Sequence, residues 1–246
     1  MKIILSPARK MNLETDCFLH EQLPQFIPEA QEILDQLQSM TDQQLQDMWG
    51  CNDKLASKNI HYIRTMELTR NLAPALFSYE GIAFRYLAAN ILETTQLDYL
   101  RENLRILSGF YGVLCPFDGV SPYRLEMQSK FAPPPHSNLY QFWGDKWANV
   151  LVDGDQAILN LASHAYSKAV RAHLPKNVPF VGCAFGELKE GRVVEKGTIC
   201  KMSRGQMVRW LAERKVSRLE EVKEFTELGF QFSEERSTPN LMVFLK

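Results

Sequence analysis

Short, wholly apolar runs alternate along the chain with longer stretches whose apolar positions recur every three or four residues. The first pattern reads as buried strand and the second as amphipathic helix. Residues 2–5 (KIIL) form a short buried strand, stopped by Ser6-Pro7, because a residue before proline avoids the helical region. Pro28 suits the first turn of a helix through 29–40. Thr41 caps a second helix ending near Trp49, and the turn at Gly50–Asp53 leads to a third through 54–66. Two or three helices follow between 71 and 103. Residues 105–109 read as a strand, and Pro116, Gly119 and Pro122 make 112–124 a structured loop. The run 132–138 (APPPHSN) reads as a stiff extended connector.

Ser137 is expected to cap one strong helix over 138–152, with Leu139, Phe142, Trp143 and Trp147 on a single face. Residues 157–162 are a strand, and 163–174 a helix with Ser163 as its N-cap. Residues 178–188 and 191–199 pair as a hairpin. A basic helix covers about 201–215, Ser217-x-x-Glu220 is a capping box for the next, and 229–233 and 241–245 close the chain as strands. Strands and helices interleave with no repeat and no long linker. The fold class is α/β (mixed α+β), a single compact domain over 1–246 with a mixed sheet and surrounding helices.

Composition narrows the function. Hydrophobic residues make up 45% and charged residues 23%, an ordinary globular balance. No apolar run is long enough to span a membrane, and the first ten residues lack the features of a signal peptide. Cysteines at 17, 51, 115, 183 and 200 are odd in number and far apart, so no disulfide framework or zinc knuckle is indicated. The five histidines are scattered too, and a cytoplasmic protein without metal or cofactor is expected. Net charge is −1, but it is unevenly spread. Residues 11–60 hold nine acids and two bases, whereas 168–218 hold twelve bases and four acids. Such a chain presents one basic face to a polyanion, or else disperses its charges over solvated helices.

Four stretches carry candidate chemistry. Residues 104–127 concentrate glycines, prolines and aromatic residues around Arg105, Arg124 and Glu126. So constrained a loop either binds something or plugs a core. Arg124 and Glu126 stand on one side of an extended segment, where the acid either aims the arginine at an anion or forms a structural ion pair. Lys201 and Arg204 open the basic helix, where an anion would offset their unfavourable placement against the helix dipole. Lys54 and Lys58 follow a helix–turn–helix connection that could present amides to a phosphate backbone, although most helix pairs bind nothing. Ser163-His164 ends a strand, but adjacent side chains there diverge and no nucleophile elbow is present.

The motifs LSPAR (5–9), NDKLA (52–56), LRILSGFYGVLCPFDGVSPYRLEM (104–127), LYQFWGD (139–145), LNLAS (159–163) and KMSRGQM (201–207) occur in the order of one family. On them the chain resembles the YaaA-type peroxide-stress resistance proteins over nearly its whole length. The resemblance implies a compact α/β fold peculiar to the family. It implies a peroxide-stress protein that binds double-stranded or branched DNA through a basic cleft, limits iron-driven damage, and has no obligate protein partner. It also implies a helix-hairpin-helix at about 41–66 and no assigned catalytic activity. Site residues carried over are Ser6, Arg9, Lys54, Arg105, Tyr123, Arg124, Lys168, Lys201 and Arg204, with Lys58 added from the helix pair. Cys115 replaces a usual basic residue, which is expected to weaken the cleft; Ser57 replaces a common glycine, which is expected to weaken the helical hairpin. The alternative is an enzyme acting on a nucleotide or phosphorylated small molecule in the same basic pocket. Direct iron handling has no support from the His and Cys spacing.

Overall fold

The computed structural model describes residues 1–14, 18–152, 154 and 156–246. Cys17 lies outside the described residues. The organising element is the strand Lys2–Leu5, whose apolar side chains Ile3, Ile4 and Leu5 are at most 1% exposed. A strand can be apolar at every position only if both of its faces are covered, as in a parallel sheet. It lies between two parallel neighbours, Leu104–Ser108 and Ile158–Leu161. Phe180–Lys189 lies parallel beside the latter, and Leu241–Leu245 lies parallel beyond it. Gly112–Leu114 and Gln231–Phe232 form antiparallel edges, and Arg192–Glu195 folds back along the second half of Phe180–Lys189. The result is a mixed eight-stranded sheet in one α/β domain, with eleven α-helices among the described residues. None of the helices is long and apolar enough to cross a membrane.

Most expected elements appear within a residue or two of their predicted bounds, including the helices Ile27–Ser39, Asp42–Trp49 and Asp53–Thr65. Four depart. The segment read as loop contains two short strands, Gly112–Leu114 and Gly119–Val120, because its glycines let the chain pair at close quarters. The segment 132–138 turns on itself, with His136 N donating to Pro133 O at 3.1 Å. The aromatic helix is two helices, Leu139–Trp143 and Lys146–Leu151, capped by the Asn138 side chain rather than by Ser137. Gly144, at φ +48°, adopts a backbone few other residues tolerate and breaks the run. Leu139, Phe142, Trp143 and Trp147 are nevertheless all buried, so the apolar face survives the break. The basic helix runs over Gly197–Arg214, so it starts four residues earlier than expected. The cap of Leu219–Val222 is shifted by one residue: the Glu221 carboxylate accepts from the amides of Ser217 and Arg218.

The Gly197–Arg214 helix lies directly on the short helix Ile82–Leu87. A Cβ on Gly205 would stand 1.9 Å from the Ala83 carbonyl oxygen, so only glycine permits this approach. The constrained loop is held by buried polar groups. Ser108 Oγ accepts from the amides of Phe110 (3.1 Å) and Tyr111 (2.8 Å) and is 2.6 Å from the Tyr123 hydroxyl. Tyr123 in turn is 2.8 Å from the Tyr79 hydroxyl. At the loop's other end, Asp118 is 1% exposed and accepts from Gln22 Nε2 at 2.7 Å and from the Cys115 amide at 2.8 Å.

Burial pushes the Asp118 carboxyl up to about 6, well above its ordinary 3.8. Its stabilising contribution is therefore full below about pH 4 and is lost as pH rises through about 6. In urea unfolding from pH 4 to 7, wild type is expected to lose about 2 kcal/mol relative to Asp118→Asn, which cannot titrate there. A pH-independent gap between the two proteins would show that Asp118 does not titrate as a buried acid.

Candidate anion-binding cleft

The two central strands end side by side, with Leu5 in register with Leu161. Ser6 and Ser163 therefore meet just past their carboxyl ends. Ser6 Oγ accepts from the Ser163 amide at 2.8 Å and donates to Ser163 Oγ at 3.2 Å. Ser163 occupies the N-cap position of the helix His164–Arg171, as expected, but its hydroxyl does not cap that helix. From these strand ends the chain departs to opposite sides of the sheet, towards Leu104–Ser108 and towards Phe180–Lys189. A crevice opens at such a switch point in parallel sheets. Here it is a cleft of about 520 Å³.

Three walls rise around the serines. One is the strap formed by 6–10 and 80–84, where Lys10–Met11 pairs with Tyr79–Glu80 and Lys10 is ion-paired to Glu80. The second is the loop Tyr123–Glu126, anchored by the Tyr123 hydroxyl and by Trp49 Nε1, which donates to the Arg124 carbonyl at 2.6 Å. The third is the Gly197–Arg214 helix, which brings Lys201 and Arg204 to the rim. Lys201 is exposed and lies one turn before the half-buried Arg204.

The electrostatics are one-sided. Arg124, Lys201 and Arg204 have no carboxylate within ion-pair distance among the described residues. Four side-chain polar atoms among the described residues are buried without a hydrogen-bond partner, and two of them are the Nε atoms of Arg124 and Arg204. Such atoms are rare, since leaving a charged donor unpaired costs more than leaving a neutral one. The two acids of the lining, Glu126 and Glu80, are engaged: Glu126 bonds Arg9 at 2.7 Å, and Glu80 bonds Lys10. Burial raises the Tyr123 and Tyr166 phenols well above their ordinary range, so both stay protonated. Among the described residues the lining holds no histidine and no cysteine, so neither serine has an imidazole beside it.

Ser6, Arg9, Tyr123, Arg124, Lys201 and Arg204 are thus brought together. The remaining expected residues are not. Arg105 is the second residue of a strand that runs from Leu104 to Ser108, so it sits at the opposite end of the sheet from Ser6. There it donates to the carbonyls of Arg101 and Leu104 and lines a separate pocket of about 500 Å³ with Cys115 and Asp118. Cys115 therefore takes nothing from the basic cleft. Lys54 and Lys58 are exposed on the helix Asp53–Thr65, with Lys58 Nζ 5.5 Å from the centre of the Tyr62 ring. Ser57 lies in the body of that helix, away from its connection at Gly50–Asn52. Lys168 is exposed and lies 4.0 Å over the Tyr140 ring.

Two expectations about the charges change as well. Glu126 partners Arg9, not Arg124, because Arg9 lies on the strap facing that loop. Lys201 and Arg204 are the fifth and eighth residues of their helix, too far along it for its N-terminal dipole to matter. Sequence reasoning did not place Ser163, Tyr166 or Glu80 in the cleft. A polar residue directly after an apolar strand was the available signal for Ser163; Tyr166 and Glu80 carry none.

Comparison with known proteins agrees across the chain. The family model described as peroxide stress protein YaaA matches residues 1–236. A UPF0246 protein of Desulfitobacterium hafniense is 45% identical over 246 residues, covering all of this chain and 98% of that protein. One from Lachnoclostridium phytofermentans is 46% identical over 248 residues, with coverage of 100% and 96%. One from Lactiplantibacillus plantarum is 42% identical over 245 residues, with coverage of 100% and 99%. The match of that family model to residues 1–236, with relatives more than 40% identical over the whole chain, makes this chain a member of the YaaA peroxide stress protein family.

Proposed function

We propose that this peroxide stress protein binds DNA without regard to sequence, through phosphate contacts made in the cleft. The observation that carries the reading is that Arg124 and Arg204, each with a buried, unpartnered Nε and no carboxylate within ion-pair distance, line one hollow. Phosphate oxygens supply acceptors of the right charge for both edges. Lys201 adds an unpaired cation at the rim, and the first two amides of the His164–Arg171 helix have no partner within that helix. The helix pair Asp42–Trp49 and Asp53–Thr65 is the segment expected to act as a helix-hairpin-helix. Trp49 ties it to the cleft loop, which leaves Lys54 and Lys58 outside to meet a flanking backbone phosphate. In this reading all of these cations are spent on phosphates, which carry no sequence information, so affinity rests on charge and shape.

The enclosed volume of the cleft favours a second reading, an enzyme acting on a nucleotide or phosphorylated small molecule. The lining works against it: its carboxylates are engaged in ion pairs and its serines lack an activating imidazole.

Fluorescence anisotropy with a short duplex is expected to show affinity falling with salt, with a log–log slope of about −3 from the three free cleft cations. Arg204→Met is expected to reduce that slope by about 1. Binding that is indifferent to salt, or to this substitution, would sink the reading. Without ligand, Arg124→Met and Arg204→Met are each expected to raise unfolding stability by about 1 kcal/mol, since each removes a buried unpaired donor from a site kept for binding. Urea midpoints lower than wild type would mean that the arginines serve structure instead.

A further inference from the structure

We infer that the cleft takes a single nucleotide unit, with its phosphate at Arg124 and Arg204, and does not take a stretch of paired duplex. This rests on the reading of the cleft as a phosphate site and goes further by setting the size and pairing state of what enters. A volume of about 520 Å³ equals a cube about 8 Å on a side, and a paired duplex is wider than its own ~12 Å major groove, so it does not fit. It is the volume of a small-ligand pocket. Arg124 and Arg204 both line it, each with its Nε buried and without a partner, so a phosphate that pairs with the two guanidinium groups together must enter the cleft.

The lining makes the same distinction. A groove that only tracks a backbone needs cations and little else. Ile82, which is partly exposed, and the edges of Phe84 and Tyr166, each 8% exposed, also line this cleft. Apolar and aromatic surface beside a phosphate site suits a sugar and base taken out of the stack. The strap at 6–10 and 80–84 stands against the wall of a neighbouring, more open hollow of about 680 Å³, which shares Lys10, Glu80 and Gly81.

A nucleotide could reach the cleft from a strand or as a free monophosphate, and the test separates the two. Anisotropy compares a short, fully paired duplex with the same duplex carrying one unpaired nucleotide, and thermal unfolding is followed with and without deoxyadenosine monophosphate. The unpaired duplex is expected to bind about tenfold more tightly, because the cost of extrusion is already met. Arg124→Gln and Arg204→Gln are each expected to abolish that preference. Two variants at separate elements guard against a folding defect in either one. A rise in melting temperature with the monophosphate, but no DNA binding, supports the nucleotide site and overturns the DNA reading. Equal binding of both duplexes with no response to the monophosphate overturns the inference and leaves the DNA reading intact. No response to any probe overturns both.

Discussion

The Tyr123 hydroxyl is the point on which the cleft depends. It sits between Ser108, at the carboxyl end of a core strand, and Tyr79, beside the strap that forms the opposite wall. Ser108 simultaneously collects the amides of Phe110 and Tyr111, so one buried chain of hydrogen bonds joins strand, loop and strap. A buried polar network of this kind tolerates little displacement, because each lost partner leaves a donor or acceptor unsatisfied in a low dielectric. The next residue in the chain is Arg124. Its aim into the hollow follows from a fixation one residue away, reinforced by Trp49 on its carbonyl.

Arg204 is fixed by different physics to the same end. The close approach of Gly205 to Ala83 leaves no room for the helix to slide, so the backbone that carries Arg204 is set by that contact. Two arginines 80 positions apart in the chain thus start from fixed backbone, each with its Nε buried and unpaired. A rigid, one-signed hollow is the arrangement that binds an anion with little ordering cost. It also explains why the acids nearby are already committed: Glu126 and Glu80 are drawn to Arg9 and Lys10, which leaves the inner cations free.

Much of this was legible in the chain. The apolar run at 3–5 requires covered faces and hence a parallel neighbour, and the hairpin around Glu190-Gly191 shows in its turn residues. The density of glycine and proline in 104–127 marks a preorganised loop, which it is, although short strands run through it. What escaped reading depended on strand direction and on contacts distant in sequence. Arg105 sits in the same motif as Arg124, yet direction along the sheet sends them to opposite ends. The pairing of Glu126 with Arg9 spans most of the first half of the chain, and no local spacing reveals it. The break at Gly144 was locally visible but was outweighed by an apolar face that continues across it.

The central claim is that Arg124 and Arg204 share one anion. The side-chain Nε–Hε signals of ¹⁵N-labelled arginine report it directly during titration with deoxyadenosine monophosphate. The signals of Arg124 and Arg204 are expected to move together along a single binding curve, while that of Arg105, at the far end of the sheet, stays in place. Immobile cleft arginines, or uniform shifts across all arginines including Arg105, would contradict the account.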